Sequence, residues 1–174
     1  MDWRLLTVNL KEARLLQARM KQELSELRSQ RERVSVVEML PEEDFHDYIN
    51  DTPEDLSERI DTLIEKILSV ESGIRRANSA PMDIPDYPEI KSLGELVCKV
   101  IQLRQEAKYY RNMAAKPKRE KSSGFNSSDA IVRVTTINHD WAVERSDKLT
   151  LECEKMSLLI EKLDLSVEVD CKVD

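Results

Sequence analysis

The stretch that decides the fold is TPEDLSERIDTLIEKILSVESGIRRAN, running from Thr52 to Asn78. Leu56, Ile60, Leu63, Ile67, Val70 and Ile74 recur in alternating steps of four and three, which is a heptad seam along one side of an α-helix. Its start is marked locally: Thr52 is a capping residue, Pro53 suits the first helical position, and Glu54 and Asp55 suit the positive end of the helix dipole. Pro81 and Pro85 lie beyond its end and cannot continue it. The spacing predicts a helix over 53–78.

The same rhythm recurs on both sides. Leu10, Ala13, Leu16 or Leu15, Met20, Leu24 and Leu27 give a first helix near 9–33, with Asn9 and Glu12 placed as a capping box. That period breaks at Val34-Ser35-Val36-Val37, which fits either a short extended piece or a last helical turn. Ser92 and Glu95 form a second capping-box pair, opening a helix near 92–114 with Leu93, Leu96, Val100, Leu103, Ala107 and Tyr110. A basic linker over 115–128 follows, and Ile131 to Thr136 is β-branched enough for a short strand or extended arm. Asn138 then caps a helix near 139–165 through Ala142, Leu149, Cys153, Met156, Ile160 and Leu163, with Ser146 as a polar gap. The expected fold is all-α: one helical domain over 1–174, four long helices in an antiparallel bundle or coiled coil, and a short extended arm before the last. Seams this narrow, with further aliphatics such as Leu68 and Leu159 beside them, predict that copies of the chain also pack together as a homo-oligomer.

Composition excludes several functions. The 174 residues carry 27 Lys+Arg and 34 Asp+Glu, a formal net charge of -7, with 5% aromatics and 3 glycines. So acidic a balance argues against duplex nucleic acid as a partner, and so few glycines against a phosphate-cradling loop. The longest apolar runs fall far short of a bilayer span. Met1-Asp2-Trp3-Arg4 lacks the apolar core of a signal peptide. Cys98, Cys153 and Cys171 have no metal-ligand spacing and suit a reducing, cytoplasmic setting. Cys98 and Cys153 fall within helical repeats and read as small hydrophobes.

Several of these residues are similar to the septicolysin-like family of small bacterial and phage proteins, whose function is largely unassigned. The likeness covers most of the chain: Leu10 to Ala18 resembles that family's first helix, and Ile74-Arg75-Arg76-Ala77-Asn78 its Ile-x-Arg-x-Asn ending of helix two. Leu93 to Leu96, Leu103-Arg104 and Tyr110 to Ala114 follow its third helix. Ile131 to Asn138 and Leu163-Asp164 resemble its later elements. The resemblance implies an all-helical, oligomeric protein, and the family name implies a cytolysin. Val167 to Lys172 departs from the amide-rich, Trp-containing ending usual there.

Chemistry has few places to sit. Arg75, Arg76 and Asn78 combine bidentate anion donors with an amide, although arginines in a last turn also suit the helix dipole. Arg104 and Arg111, seven residues apart, share a helix face and could extend an anion-binding wall, or simply serve as solvated partners for acids. Arg133 is a further cation in the arm. Glu42, Glu43, Asp44, His46 and Asp47 are metal-ligand types without ligand spacing and read as a solvated loop. His139-Asp140 does not align with Ser146 or Cys153 as a triad. The Lys116–Lys121 run lacks interleaved aromatics and reads as a solvated linker. The expectation is therefore a non-enzymatic, cofactor-free and metal-free protein. It binds a small anionic, nucleotide-like ligand through Arg75, Arg76, Asn78, Arg104, Arg111 and Arg133, in the manner of a phage sponge that sequesters a host signal. A coiled-coil scaffold for a protein partner and a membrane-active cytolysin are the alternatives.

Overall fold

A computed structural model of the protein describes residues 4–42, 44, 48–121 and 132–173. In chain order the elements are β1 (Arg4–Asn9), α1 (Leu10–Val34), α2 (Pro53–Ser79), α3 (Leu93–Ala114), β2 (Arg119–Lys121), β3 (Val132–Val134), α4 (His139–Ser166) and β4 (Glu168–Val173). The molecule is mostly helical, with four long helices starting within a residue of where their capping residues place them. The chain groups into two compact units, 1–81 with 163–174, and 82–162.

The caps form as the sequence dictates. The Asn9 side chain accepts from Glu12 N at 2.9 Å while Asn9 N donates to the Glu12 carboxylate at 3.2 Å. Thr52 and Asp55 repeat the arrangement at the start of α2. Ser92 Oγ accepts from Glu95 N, but the Glu95 carboxylate reaches one residue further back, taking Lys91 N at 2.7 Å. Asn138 caps α4 by accepting from Trp141 N. Each cap satisfies donors that a bare helix end leaves without partners. At the far end of α1, Val34 is the last helical residue and Ser35 the cap.

In the first unit α1 and α2 run antiparallel. Gln17 Nε2 donates to Glu71 Oε1 at 2.9 Å near one end of the pair, and Arg31 to Ser57 Oγ at 3.1 Å near the other. Leu10, Ala13, Met20 and Leu27 of α1 are buried, as are Leu56, Ile60, Leu63, Ile67 and Val70 of α2. Removing each large side chain from water contributes about 1.5–3 kcal/mol. Between Ala13 and Met20, Leu15 is exposed while Leu16 and Gln17 are both half-buried. Gln17 reaches α2 with its amide, which donates to Glu71.

The all-α expectation fails at the chain's flanks. β1 and β4 pair antiparallel in register Arg4↔Val173 to Asn9↔Glu168, with Thr7 Oγ1 donating to Asp170 Oδ1 at 2.7 Å across the pair. Leu10 N donates to Val167 O at 2.8 Å, tying the two strand-to-helix junctions together. β4 alternates exposed Glu168 and Asp170 with buried Val169 and Cys171, the period of a half-buried strand. It lies across α2 at Gly73, where an added Cβ would stand 2.8 Å from Val169 Cγ1 and 2.9 Å from Asp170 O. The α2 seam consequently turns from the predicted Ile74, which is half-buried, to the small residues Gly73 and Ala77. A second two-stranded sheet, β2 with β3, occupies part of the predicted linker and arm. Residues 122–131, the rest of that linker and the first residue of the arm, lie outside the described residues.

Candidate functional site

The second unit is built on α3 and the part of α4 up to Lys162. Ser146 Oγ donates to Ala107 O at 2.9 Å, and Ala114 O lies 2.9 Å from His139 Nδ1. Numbers fall along α3 as they rise along α4, so this pair is also antiparallel. Its core is Leu93, Leu96, Val100 and Ala107 against Ala142, Cys153 and Met156, with Ser146 buried among them. The polar gap in the seam is thus a side chain made acceptable by a neighbouring helix carbonyl.

Glu152 and Glu154 lie on either side of buried Cys153, and the two flanks of the pair differ. On the Glu152 flank, the segment 82–92 lies alongside α4. Ile84 and Ile90 are buried, and Tyr87 donates its hydroxyl to Glu152 Oε1 at 2.8 Å. Burial and that carboxylate push the phenol up to about 12. On the Glu154 flank the two helices leave an open groove of ≈ 580 Å³. Ala107 and Cys153 line its floor. Arg104, Lys108 and Arg111 supply one wall from α3, while Thr150, Ser157 and Glu154 supply the other from α4, with Leu158 at the edge.

The basic wall follows from spacing, since residues at i, i+4 and i+7 share a helix face. Arg104 Nη2 donates to Ser157 Oγ at 2.7 Å, whose own proton goes to Cys153 O at 2.6 Å. Arg111 Nη2 stands 3.8 Å from Asp147 Oδ1, both side chains 67% exposed, a pair worth little against solvent. Lys108 makes no ion pair among the described residues. Three cations and one acid, Glu154, therefore line the groove above its apolar floor. Burial raises the Cys153 thiol and nearby Arg104 only partly opposes it, so the group is a neutral thiol rather than a nucleophile. A cavity of this volume is in the range of small-ligand sites.

The predicted site residues divide between the units. Arg104 and Arg111 meet in the groove. Arg75, Arg76 and Asn78 belong to the first unit. Arg75 and Arg76 are exposed, and Arg76 Nη1 lies 3.3 Å from Ser72 Oγ on its own helix. Asn78 Oδ1 accepts from Arg14 Nη2 at 3.3 Å, while Arg14 Nη1 holds Asp164 Oδ2 at 2.5 Å. Asn78 is thus a prop for an ion pair that docks the end of α4 on α1. Arg133 is exposed on β3, opposite Glu120 in the register. The sequence reading missed Lys108, Thr150 and Ser157. The step of four from Arg104 to Lys108 was the available signal for the first.

Cys153 is buried as expected, but Cys98 is exposed because it falls between the seam positions Leu96 and Val100. His139 and Ser146 are each engaged with α3 carbonyls rather than with one another. Of the acidic-loop residues, Glu43, His46 and Asp47 lie outside the described residues. Among the described residues no helix is long and apolar enough to cross a membrane.

No protein-family model matches the chain, and no curated protein matches it. Among solved structures the chain is similar to the crystal structure of a functionally unknown conserved protein from Corynebacterium diphtheriae. The TM-score is 0.67 at 19% sequence identity, with 94% of this chain and 99% of that chain covered. The similarity is one of fold.

Proposed function

We propose that this chain is a non-enzymatic binding protein that captures a small anionic, nucleotide-like ligand in the α3–α4 groove. One observation carries the reading: Arg104, Lys108 and Arg111 stand together over the apolar floor of Ala107 and Cys153 in an open groove. Guanidinium and ammonium groups suit phosphate oxygens. The apolar floor suits a flat, less polar moiety, and Thr150 and Ser157 add hydroxyls that donate or accept. The ligand site expected at the end of α2 is thereby moved to the other unit, keeping Arg104 and Arg111 and adding Lys108. Sequestration of a signalling nucleotide in a reducing, cytoplasmic setting, and membership of the septicolysin-like family, belong to the same reading.

Calorimetric titration with mono-, di- and cyclic nucleotides tests it. At least one member of the panel should bind, and Arg104→Glu combined with Lys108→Glu should abolish the heat. Absence of heat with every member, or an unchanged isotherm in the double variant, overturns the proposal.

A second reading rests on Leu151 and Leu158, exposed one heptad apart on the outer side of α4. A further helix, from a partner or a sister copy, would find there the leucine spacing of a coiled-coil seam. Light scattering over a concentration series distinguishes the two: self-association lost in Leu151→Glu favours the helix, and a monomer that binds nucleotide favours the small ligand.

A further inference from the structure

The basic run after the groove reads in sequence as a linker without aromatics, but the fold supplies them. Lys116 to Lys121 holds four cations and one acid in a chain of net charge -7, so positive charge gathers just after the end of α3. Tyr109 and Trp141 are 60% and 49% exposed there. Tyr110 lies between them: its ring is 5.5 Å from that of Trp141, edge to face at 89°, and 6.4 Å from that of Tyr109. The His139 contact with Ala114 O brings the start of α4, and Trp141 with it, to the end of α3. Thr135 bonds to Lys118 O and Pro117 O hold β3 against the run Lys116 to Arg119, whose side chains are exposed. Arg145 is exposed one turn after Trp141 on the same face of α4.

Two acids at this end have cationic neighbours: Glu144 holds Lys148 at 2.6 Å, and Asp147 stands 3.8 Å from Arg111. Glu120 pairs with Arg133 in the β2–β3 register. Asp140 and Glu106 remain, against Lys116, Lys118, Arg119 and Arg145.

We propose that this end of the second unit is a binding surface for single-stranded nucleic acid, with unpaired bases stacking on Trp141 and Tyr109 and the phosphate backbone tracking Lys116, Lys118 and Arg119. Exposed aromatic faces beside exposed cations are the combination that holds unpaired strands irrespective of sequence. A duplex keeps its bases stacked on one another and offers these rings nothing. Tyr110 braces Trp141 in a T-shaped contact, and Trp141 is still 49% exposed, which leaves ring area open to a base. The surface uses residues other than the groove floor, so it stands or falls separately from nucleotide capture.

The test uses the full chain carrying Trp3→Phe, which leaves Trp141 as the lone tryptophan. It is titrated with fluorescein-labelled oligo-dT and oligo-U of 20 nucleotides, following anisotropy and Trp141 emission together. Expected are saturable binding and quenching of Trp141. The logarithm of affinity should fall with the logarithm of salt at a slope of about -2 for three phosphates neutralised. In the Trp3→Phe background Trp141→Ala should weaken binding about tenfold, read by anisotropy alone, while Trp141→Phe keeps most of it and controls for the fold. Lys116→Glu with Lys118→Glu should reduce both the affinity and the salt slope. No anisotropy change, equal affinity for a duplex of the same length, or binding indifferent to Trp141→Ala would each overturn the proposal. So would emission that shifts to the blue with phosphatidylserine vesicles but does not respond to oligonucleotide, which would make the surface a membrane contact.

Discussion

The two helix pairs obey the same packing rule and end in different states. In the α1–α2 pair several flanking polar groups are occupied from within the chain: Gln17 and Lys21 by Glu71, Arg14 by Asp164 and Asn78, Arg31 by Ser57. A groove of ≈ 530 Å³ remains between these helices, but Glu23, Asp55 and Glu58 make its walls acid-rich beside Arg59 and Lys66. A strand also covers the small-residue end of α2. In the α3–α4 pair one flank is covered by the segment 82–92, while the other keeps three cations in an open groove floored by Ala107 and Cys153. The contrast is therefore one of charge: acids dominate the groove of the first pair, and Arg104, Lys108 and Arg111 dominate that of the second.

The contrast can be broken first at the cores. Leu56→Ala in one pair and Leu96→Ala in the other each empty a wholly buried position and should cost about 3 kcal/mol by urea denaturation. Similar costs would show both seams packed to the same standard, so that only their flanks differ. Gly73→Ala should cost about 2 kcal/mol, because the new methyl meets the backbone oxygen of Asp170 as well as the buried Val169 side chain. A stabilised Gly73→Ala protein would refute the close approach of β4.

The pH dependence sharpens the comparison further. Burial raises the Asp164 carboxyl above its ordinary 3.8, against the pull of Arg14 and Lys11. The folded state therefore holds that proton more tightly than the unfolded chain. Its contribution to stability is full below pH 3.8 and is lost as pH rises through the higher folded value. Glu71, lowered from 4.5 chiefly by its bond from Lys21, acts in the opposite sense, its contribution fading as pH falls through its folded value. Urea midpoints from pH 3.5 to 7 should show the acid-side advantage disappear in Asp164→Asn and the acid-side loss diminish in Glu71→Gln.

The smallest stability effect is expected at the groove wall. Lys108→Glu should change folding stability by less than about 0.5 kcal/mol while weakening any anionic ligand. Thiol titration checks the same division of exposed from buried. In the native protein one cysteine, Cys98, should react quickly, whereas Cys153 and Cys171, both buried and raised in pKa by burial, should wait for denaturant.

The four helices were legible because their signals are local. Asn9, Thr52, Ser92 and Asn138 each cap within three residues of themselves, and each seam repeats within its own segment. β1 and β4 were not legible in the same way, since Thr7 and Asp170 meet across 163 positions and neither strand is stable alone. The alternation Glu168-Val169-Asp170-Cys171 was a usable trace of β4. Of the proposed groove, Arg104 and Arg111 were legible by their spacing as neighbours on one helix face. Which polar groups are held by neighbours depends on residues such as Arg14, Asn78 and Asp164, distant in sequence and joined only by the fold.

The first unit is discontinuous, residues 1–81 being completed by 163–174, whereas 82–162 is one unbroken run. A ribosome therefore delivers α1 and α2 and then the entire second unit before the strand that covers Gly73 exists. At ordinary synthesis speeds that interval is on the order of ten seconds. During it the nascent α2 leaves Gly73 and Ala77 without the strand that later covers Gly73. Small side chains there leave little greasy surface for a stray strand to grip, which keeps that place available for the chain's own last residues.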